Sequence, residues 1–111
     1  MSQSTDTVDA VLAALADPMR RRVLATLAER GEATATTLAT VLPVSRQAVV
    51  KHLNVLDRAG LVEARKQGRE VRYLVRPAAL DRTARWMDQL AADWARRLEA
   101  IKRIAESDTW S

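Results

Sequence analysis

The 111-residue sequence contains no cysteine, and this absence excludes several kinds of site. Disulfide bonds, thiolate metal sites and cysteine nucleophiles all depend on that residue. The one histidine, His52, leaves too few imidazoles for zinc sites that use two or more of them. We therefore predict no metal site and no cofactor.

Long apolar runs are also absent. No stretch approaches the roughly 20 apolar residues that span a bilayer, and the first residues lack the basic and apolar regions of a secretion signal. We expect a cytoplasmic protein with no membrane partner. An enzyme is not expected either, because Ser45 and His52 lie about 10 Å apart along one predicted helix, too far for a nucleophile and its base.

Basic residues are concentrated in the middle of the chain. Residues 45–76 hold eight Lys or Arg and three Asp or Glu, a net charge of +5, whereas residues 1–44 carry −1 and residues 77–111 are neutral. A solvated charged face is the ordinary explanation for such a cluster. A surface that binds nucleic-acid phosphates is the alternative.

Apolar periodicity and helix boundary signals predict four helices in the first 60 residues. The first spans about 6–16, and the second starts at Asp17-Pro18 and ends at Gly31. A short third helix, about 35–42, is stopped by Pro43, and the fourth runs over about 45–59. Two helices joined by so tight a turn must cross steeply, which is the helix-turn-helix geometry.

Two strands and a turn follow the fourth helix. Residues 61–66 and 71–76 have strand composition, and the intervening residues 67–70 contain Gly68. A hairpin directly after a helix-turn-helix is a wing, here over about 61–76. We therefore interpret the fourth helix as a recognition helix, although an ordinary exposed helix face is the alternative for its polar side.

The candidate DNA contacts follow from this arrangement. Amide, cationic and small apolar side chains suit base edges in the major groove, and those predicted to read bases are Arg46, Gln47, Val50 and Lys51. The side chains predicted to contact the DNA backbone are Ser45, His52, Asn54, Arg65, Arg69 and Arg72. The run Arg20-Arg21-Arg22 has two possible roles: an ion pair with an acidic residue such as Asp17, or contact with a DNA phosphate.

A long last helix is predicted over about 79–106, followed by a frayed tail over 107–111. Its apolar residues repeat at spacings of four and three, as in a heptad seam. Such a small domain cannot cover that seam alone, so we predict a homodimer, with burial against the chain's own domain as the alternative. The predicted dimer interface is Val8, Val11, Leu12, Met87, Leu90, Trp94, Leu98 and Ile101.

Three segments resemble one known family, the ArsR-type (arsenic repressor-like) winged-helix regulators. Residues 14–24 (ALADPMRRRVL) resemble its opening signature, and residues 44–53 (VSRQAVVKHL) resemble its recognition helix. Residues 68–75 (GREVRYLV) resemble its wing. The resemblance implies a homodimer formed by the first and last helices, and repression by occlusion of a promoter.

The sequence departs from the metal-sensing members of that family. Residues 34–39 lack the cysteine pair of the arsenic and cadmium sensors, and the last helix lacks the histidines of the zinc sensors. It resembles a cysteine-free branch, in which some members respond to organic ligands. Trp86 and Trp94 could line such a ligand pocket or fill the dimer interface.

The sequence as a whole predicts one winged helix-turn-helix domain over 1–106, mainly α with a small β-hairpin: about five helices plus a two-stranded wing. The predicted function is a sequence-specific, double-stranded-DNA-binding regulator, a homodimeric repressor that binds an inverted-repeat operator. The alternative is a winged helix that contacts only other proteins.

Overall fold

The computed structural model describes residues 3–108 and contains five helices and three strands in that range. The helices are α1 (Gln3–Ala14), α2 (Pro18–Arg30), α3 (Ala35–Val41), α4 (Arg46–Arg58) and α5 (Pro77–Asp108). The strands are β1 (Glu32–Thr34), β2 (Val62–Gln67) and β3 (Glu70–Val75). This arrangement is the predicted winged helix-turn-helix fold.

Side-chain caps set the starts of α2, α3 and α4. The Asp17 carboxylate accepts from the backbone N–H of Arg20 at 3.0 Å, and the Ser45 hydroxyl accepts from that of Ala48 at 3.1 Å. Thr34 caps α3 in the same way. Each cap satisfies an amide that the first helical turn leaves unpaired, so these local residues fix where the helices begin.

The wing belongs to a three-stranded antiparallel sheet with the order β1-β3-β2. The predicted two-stranded wing corresponds to β2 and β3, and the strand that the sequence did not predict is β1, which pairs with the other edge of β3. The hairpin turn has Gly68 at its first central position with a φ of +63°. A positive φ there is typical of a type II′ turn and is a conformation that favours glycine.

The core lies where α2, α3 and α4 pack over the base of the sheet. Its largest fully buried side chains come from three helices and from the residue before β2: Leu27, Leu38, Leu53, Leu56 and Leu61. Val11 of α1 and Tyr73 of β3 complete the same cluster. The core therefore fixes the orientation of α4 relative to the wing.

Helix α1 contributes to this core more than the sequence predicted. Val8 and Val11 were placed in the dimer interface, yet they are 3% and 0% exposed within a single protomer. They therefore have almost no surface left for a partner to bury. Leu12, the residue after Val11, is 40% exposed and could still contact a partner.

Helix α5 packs on the domain only through its first turns, where Ala79 and Thr83 are buried. From Ala84 to Ser107, every residue except Asp93 and Ala100 is exposed. The helix continues through Ser107 and Asp108, which the sequence placed in a frayed tail; residues 109–111 of that tail lie outside the described residues. No helix within residues 3–108 is long and apolar enough to cross a membrane.

Candidate nucleic-acid interface

The outer face of α4 carries exposed polar side chains. Gln47, Lys51 and Asn54 are all exposed, while Val49 and Leu53 on the opposite side are fully buried. Ser45, which was predicted to contact the DNA backbone, is exposed and caps the helix. Amide and ammonium groups on one free helix face are suited to hydrogen bonds with base edges and phosphates.

Two other residues predicted to read bases are more constrained. Arg46 is exposed, but its Nε donates to the Thr36 hydroxyl of α3 at 3.0 Å. Val50 is half-buried and packs against the core cluster. Both therefore lie toward α3 and the wing, away from the fully exposed side of α4.

His52 lies on the interior side of α4. It is half-buried, and its Nδ1 is buried with no hydrogen-bond partner among the described residues. The pKa of Asp17, at the start of α2, is lowered first by the Arg20 backbone N–H, with a smaller electrostatic contribution from His52. His52 was predicted to contact the DNA backbone, but the structure leaves it half-buried with Nδ1 inside the protomer.

The predicted wing cations differ in their partners. Arg65 pairs with Glu63 at 2.9 Å on one strand, and the pair is exposed. Arg72 is half-buried and pairs with Glu70 at 3.1 Å and with Glu32 of β1 at 3.6 Å. Two carboxylates therefore already hold Arg72 on the sheet.

Arg69 and Lys66 differ from Arg72 in this respect. Both are exposed, and neither forms an ion pair within the described part of the chain. Arg69 occupies the second central position of the wing turn, directly after Gly68. The tip of the wing therefore carries the cations that are most available to a polyanion.

A groove of about 530 Å³ separates the helix-turn-helix from the wing. Arg46 and Val50 of α4 and the first turn of α3 form one wall, and the wing residues Arg69, Glu70, Val71 and Tyr73 form the other. Glu70 also lines the groove, but its carboxylate is paired with Arg72. The spacing of residues along the sequence does not predict this groove, because it joins residues of β1, α3, α4 and the wing.

The arginine run at the start of α2 has a structural role. Arg20 donates through Nη1 to the Ala14 carbonyl at 3.0 Å, and Arg21 donates to the Leu15 carbonyl at 2.6 Å. Arg20 also pairs with Asp17 at 3.9 Å. Of the two interpretations left open, the structure therefore favours pairing within the protomer, while Arg22 stays exposed.

Within the described part of the chain, no three His, Asp or Glu side chains come together as metal ligands.

Known proteins of the same fold match most of the chain. The model of a helix-turn-helix domain family matches residues 15–65. An ArsR-like transcriptional regulator from Rhodococcus sp. RHA1 is 48% identical, with a TM-score of 0.83 over 94% of this chain and 97% of its own. The arsenical resistance operon repressor of Escherichia coli is 33% identical over 89 residues, which cover 80% of this chain and 76% of the repressor.

A third similar protein is the homodimeric winged helix-turn-helix DNA-binding domain of a Mycobacterium bovis protein. It is 31% identical, with a TM-score of 0.64 over 80% of this chain and 81% of its own. These matches extend from the helix-turn-helix through the wing, where the basic residues and the polar face of α4 lie. The chain is a DNA-binding transcriptional regulator and belongs to the ArsR family of winged helix-turn-helix proteins.

Proposed function

We propose that this protein is a homodimeric repressor that binds an inverted-repeat operator and acts on DNA in the cytoplasm. The observation that carries the proposal is the presence of two unlike exposed surfaces on separate elements of the fold. The polar face of α4 and the wing tip offer hydrogen-bond donors and cations. The projecting part of α5 offers an apolar strip.

The dimer half of the proposal rests on α5. Its exposed large apolar side chains include Met87, Leu90, Trp94, Leu98 and Ile101. A monomer would leave this continuous strip in water, and exposed patches of this kind mark interfaces. A second copy would cover the strip with its own α5 and with Leu12, and the M. bovis domain is a homodimer. We assign Trp86 and Trp94 to this interface core, where aromatic side chains contribute a large buried area.

The DNA half of the proposal rests on α4 and the wing. Gln47 and Lys51 are the residues we propose for base reading, because both are exposed on the outer face of α4. Ser45, Asn54, Arg65 and Arg69 are proposed as backbone contacts. In a two-fold dimer the two α4 helices would enter major grooves about 34 Å apart, so the operator should be an inverted repeat.

Repression, as opposed to activation, is proposed by analogy with the E. coli relative, which is named a repressor. A dimer that occupies an inverted repeat inside a promoter blocks access to that promoter. An organic effector that releases the DNA is compatible with the exposed tryptophans of α5, and no catalytic activity is proposed.

The test is a selection of bound duplexes from a random DNA pool, with the purified protein at near-physiological salt. Enrichment of an inverted repeat with half-sites about one helical turn apart would support the proposal. Binding without enrichment that disappears on modest salt addition would leave only non-specific attraction to phosphates. That result would favour the alternative of a winged helix that contacts other proteins.

A further inference from the structure

The groove between α3, α4 and the wing contains features that base reading does not explain. The Arg46 guanidinium is tied to the Thr36 hydroxyl through Nε at 3.0 Å. Within the described part of the chain, its two terminal nitrogens have no partner. Arg46 therefore presents a fixed pair of donors toward the groove, in place of a freely rotating cation.

Arg69 supplies a second cation on the opposite wall of the same groove. The acidic residue there, Glu70, is paired with Arg72 at 3.1 Å, so its charge is largely compensated. Val50 on the first wall and Val71 and Tyr73 on the second give the groove an apolar part as well. Two cations beside apolar side chains suit an anion attached to a less polar unit, as a phosphodiester is attached to deoxyribose.

The path of DNA over a winged helix leads to the same place. If α4 occupies a major groove and the wing tip contacts the adjacent minor groove, one sugar-phosphate strand must pass between them. The space between α4 and the wing is this groove, and its volume of about 530 Å³ exceeds that of a single phosphate. A phosphate of that strand would then lie between Arg46 and Arg69.

We propose that this groove binds one backbone phosphate of each half-site, that Arg46 clamps the phosphate, and that Thr36 is the residue that positions Arg46. The inference rests on the proposed function, because it assumes that α4 enters the major groove. It differs from the sequence-based prediction, in which Arg46 reads a base. A guanidinium held through Nε keeps its Nη donors for the two-oxygen contact that phosphate favours.

The first test is a double-mutant cycle on the duplex enriched by selection, measured by fluorescence anisotropy. Thr36→Val removes the hydroxyl at nearly constant shape, and we expect it to raise Kd about five-fold, the effect of one hydrogen bond. Arg46→Ala should raise Kd about ten-fold or more and lower the salt dependence by about one phosphate contact per half-site, two for the dimer. Adding Thr36→Val to Arg46→Ala should have no further effect, because the residue that Thr36 positions is gone.

Controls separate positioning from a general loss of structure. Thr40→Val changes another exposed hydroxyl of α3, which bonds only within its own helix, and should leave Kd unchanged. Thr36→Ser restores the hydroxyl and should restore the affinity. An equal effect of Thr36→Val with and without Arg46, or an Arg46→Ala variant with altered base preference, would overturn the proposal.

The second test identifies the phosphate itself. Each backbone phosphate of the duplex is replaced in turn by a neutral methylphosphonate. One position per half-site, on the strand between the major and minor grooves, should weaken the wild type about ten-fold without weakening Arg46→Ala further. If no position behaves in this way while the wild type still selects its operator, the phosphate site is wrong and the proposed function stands. A wild type that selects no sequence refutes the proposed function itself.

Discussion

Arg20 of α2 donates a hydrogen bond from its Nη1 to the carbonyl of Ala14, the last residue of α1, at 3.0 Å. Its backbone N–H is bound at the same time by the Asp17 carboxylate, which caps α2. One residue thus fixes the angle between two consecutive helices. This corner connects α1, which packs on α5, to the helix-turn-helix.

Arg20→Met should therefore destabilise the fold, because it keeps the aliphatic stem and removes the donors that satisfy the α1 carbonyl. We expect the free energy of unfolding to fall by about 1–2 kcal/mol, the range for a partly buried charged hydrogen bond. Denaturation by urea, followed by circular dichroism, measures this. Arg22→Met alters an exposed arginine of the same helix and should leave stability within about 0.5 kcal/mol of wild type. Equal losses in both variants would contradict the role given to Arg20.

The Asp17 carboxylate in this corner should make the stability of the fold depend on pH. The pKa of Asp17 is below its ordinary value of 3.8, first because the Arg20 backbone N–H donates to the carboxylate. A group whose pKa is lower in the folded state stabilises the fold above its unfolded value, and this stabilisation is lost as the pH falls through the folded value. Asp17→Asn keeps a cap that does not titrate. The wild type should therefore lose more stability than this variant as the pH falls from about 5 toward 3.

The measurement is urea unfolding at a series of pH values. Asp9→Asn, which changes an exposed carboxylate of α1, is the matched control and should keep the wild-type slope. If the Asp17 and Asp9 variants have the same slope, the cap does not account for the pH dependence.

The sequence predicted the helix boundaries well where a local signal marks them. Asp17-Pro18 and Ser45 each place a cap directly before a helix, so a segment of two to four residues is enough to predict where the helix begins. Strand β1 carries no comparable signal. It has three residues, and its partner Tyr73 in β3 is 40 positions from Ala33, so only tertiary packing could reveal it.

The candidate site was less predictable for a similar reason. Periodicity identifies an apolar helix face but does not say what covers it, and so Val8 and Val11 were assigned to a partner when their own core buries them. The hydrogen bond from Arg46 to Thr36 crosses from α4 to α3. Spacing along one helix cannot show a contact between two, so Arg46 looked like an unconstrained outer residue.

Two variants should show that base reading and backbone binding are carried by different residues. Gln47→Ala should change which bases are preferred in a half-site, because its amide is proposed to pair with a base edge. Arg69→Ala should weaken binding to all duplexes alike and flatten the salt dependence, because a phosphate contact carries no sequence information. Parallel selections and salt titrations with both variants measure this. Uniform losses on every sequence for both would refute the division between α4 and the wing.

The apolar strip of α5 should determine the oligomeric state. Leu98 is 59% exposed in the protomer, and Leu98→Glu would place a charge in the proposed interface, where an unpaired buried charge is strongly unfavourable. We expect the variant to be monomeric and the wild type to be dimeric by sedimentation velocity at micromolar concentration. Operator affinity should fall at least about ten-fold, because a monomer holds only one half-site.

Arg103→Glu is the control for that experiment, since it introduces the same charge on α5 about 140° around the helix from Leu98. Arg103 is exposed and outside the apolar strip, so the variant should remain dimeric and bind the operator. A monomeric wild type, or a Leu98→Glu variant that stays dimeric, would mean that α5 is covered by something other than a second copy. In that case the inverted-repeat geometry would lose its physical basis, because two half-sites require two recognition helices in a fixed relation.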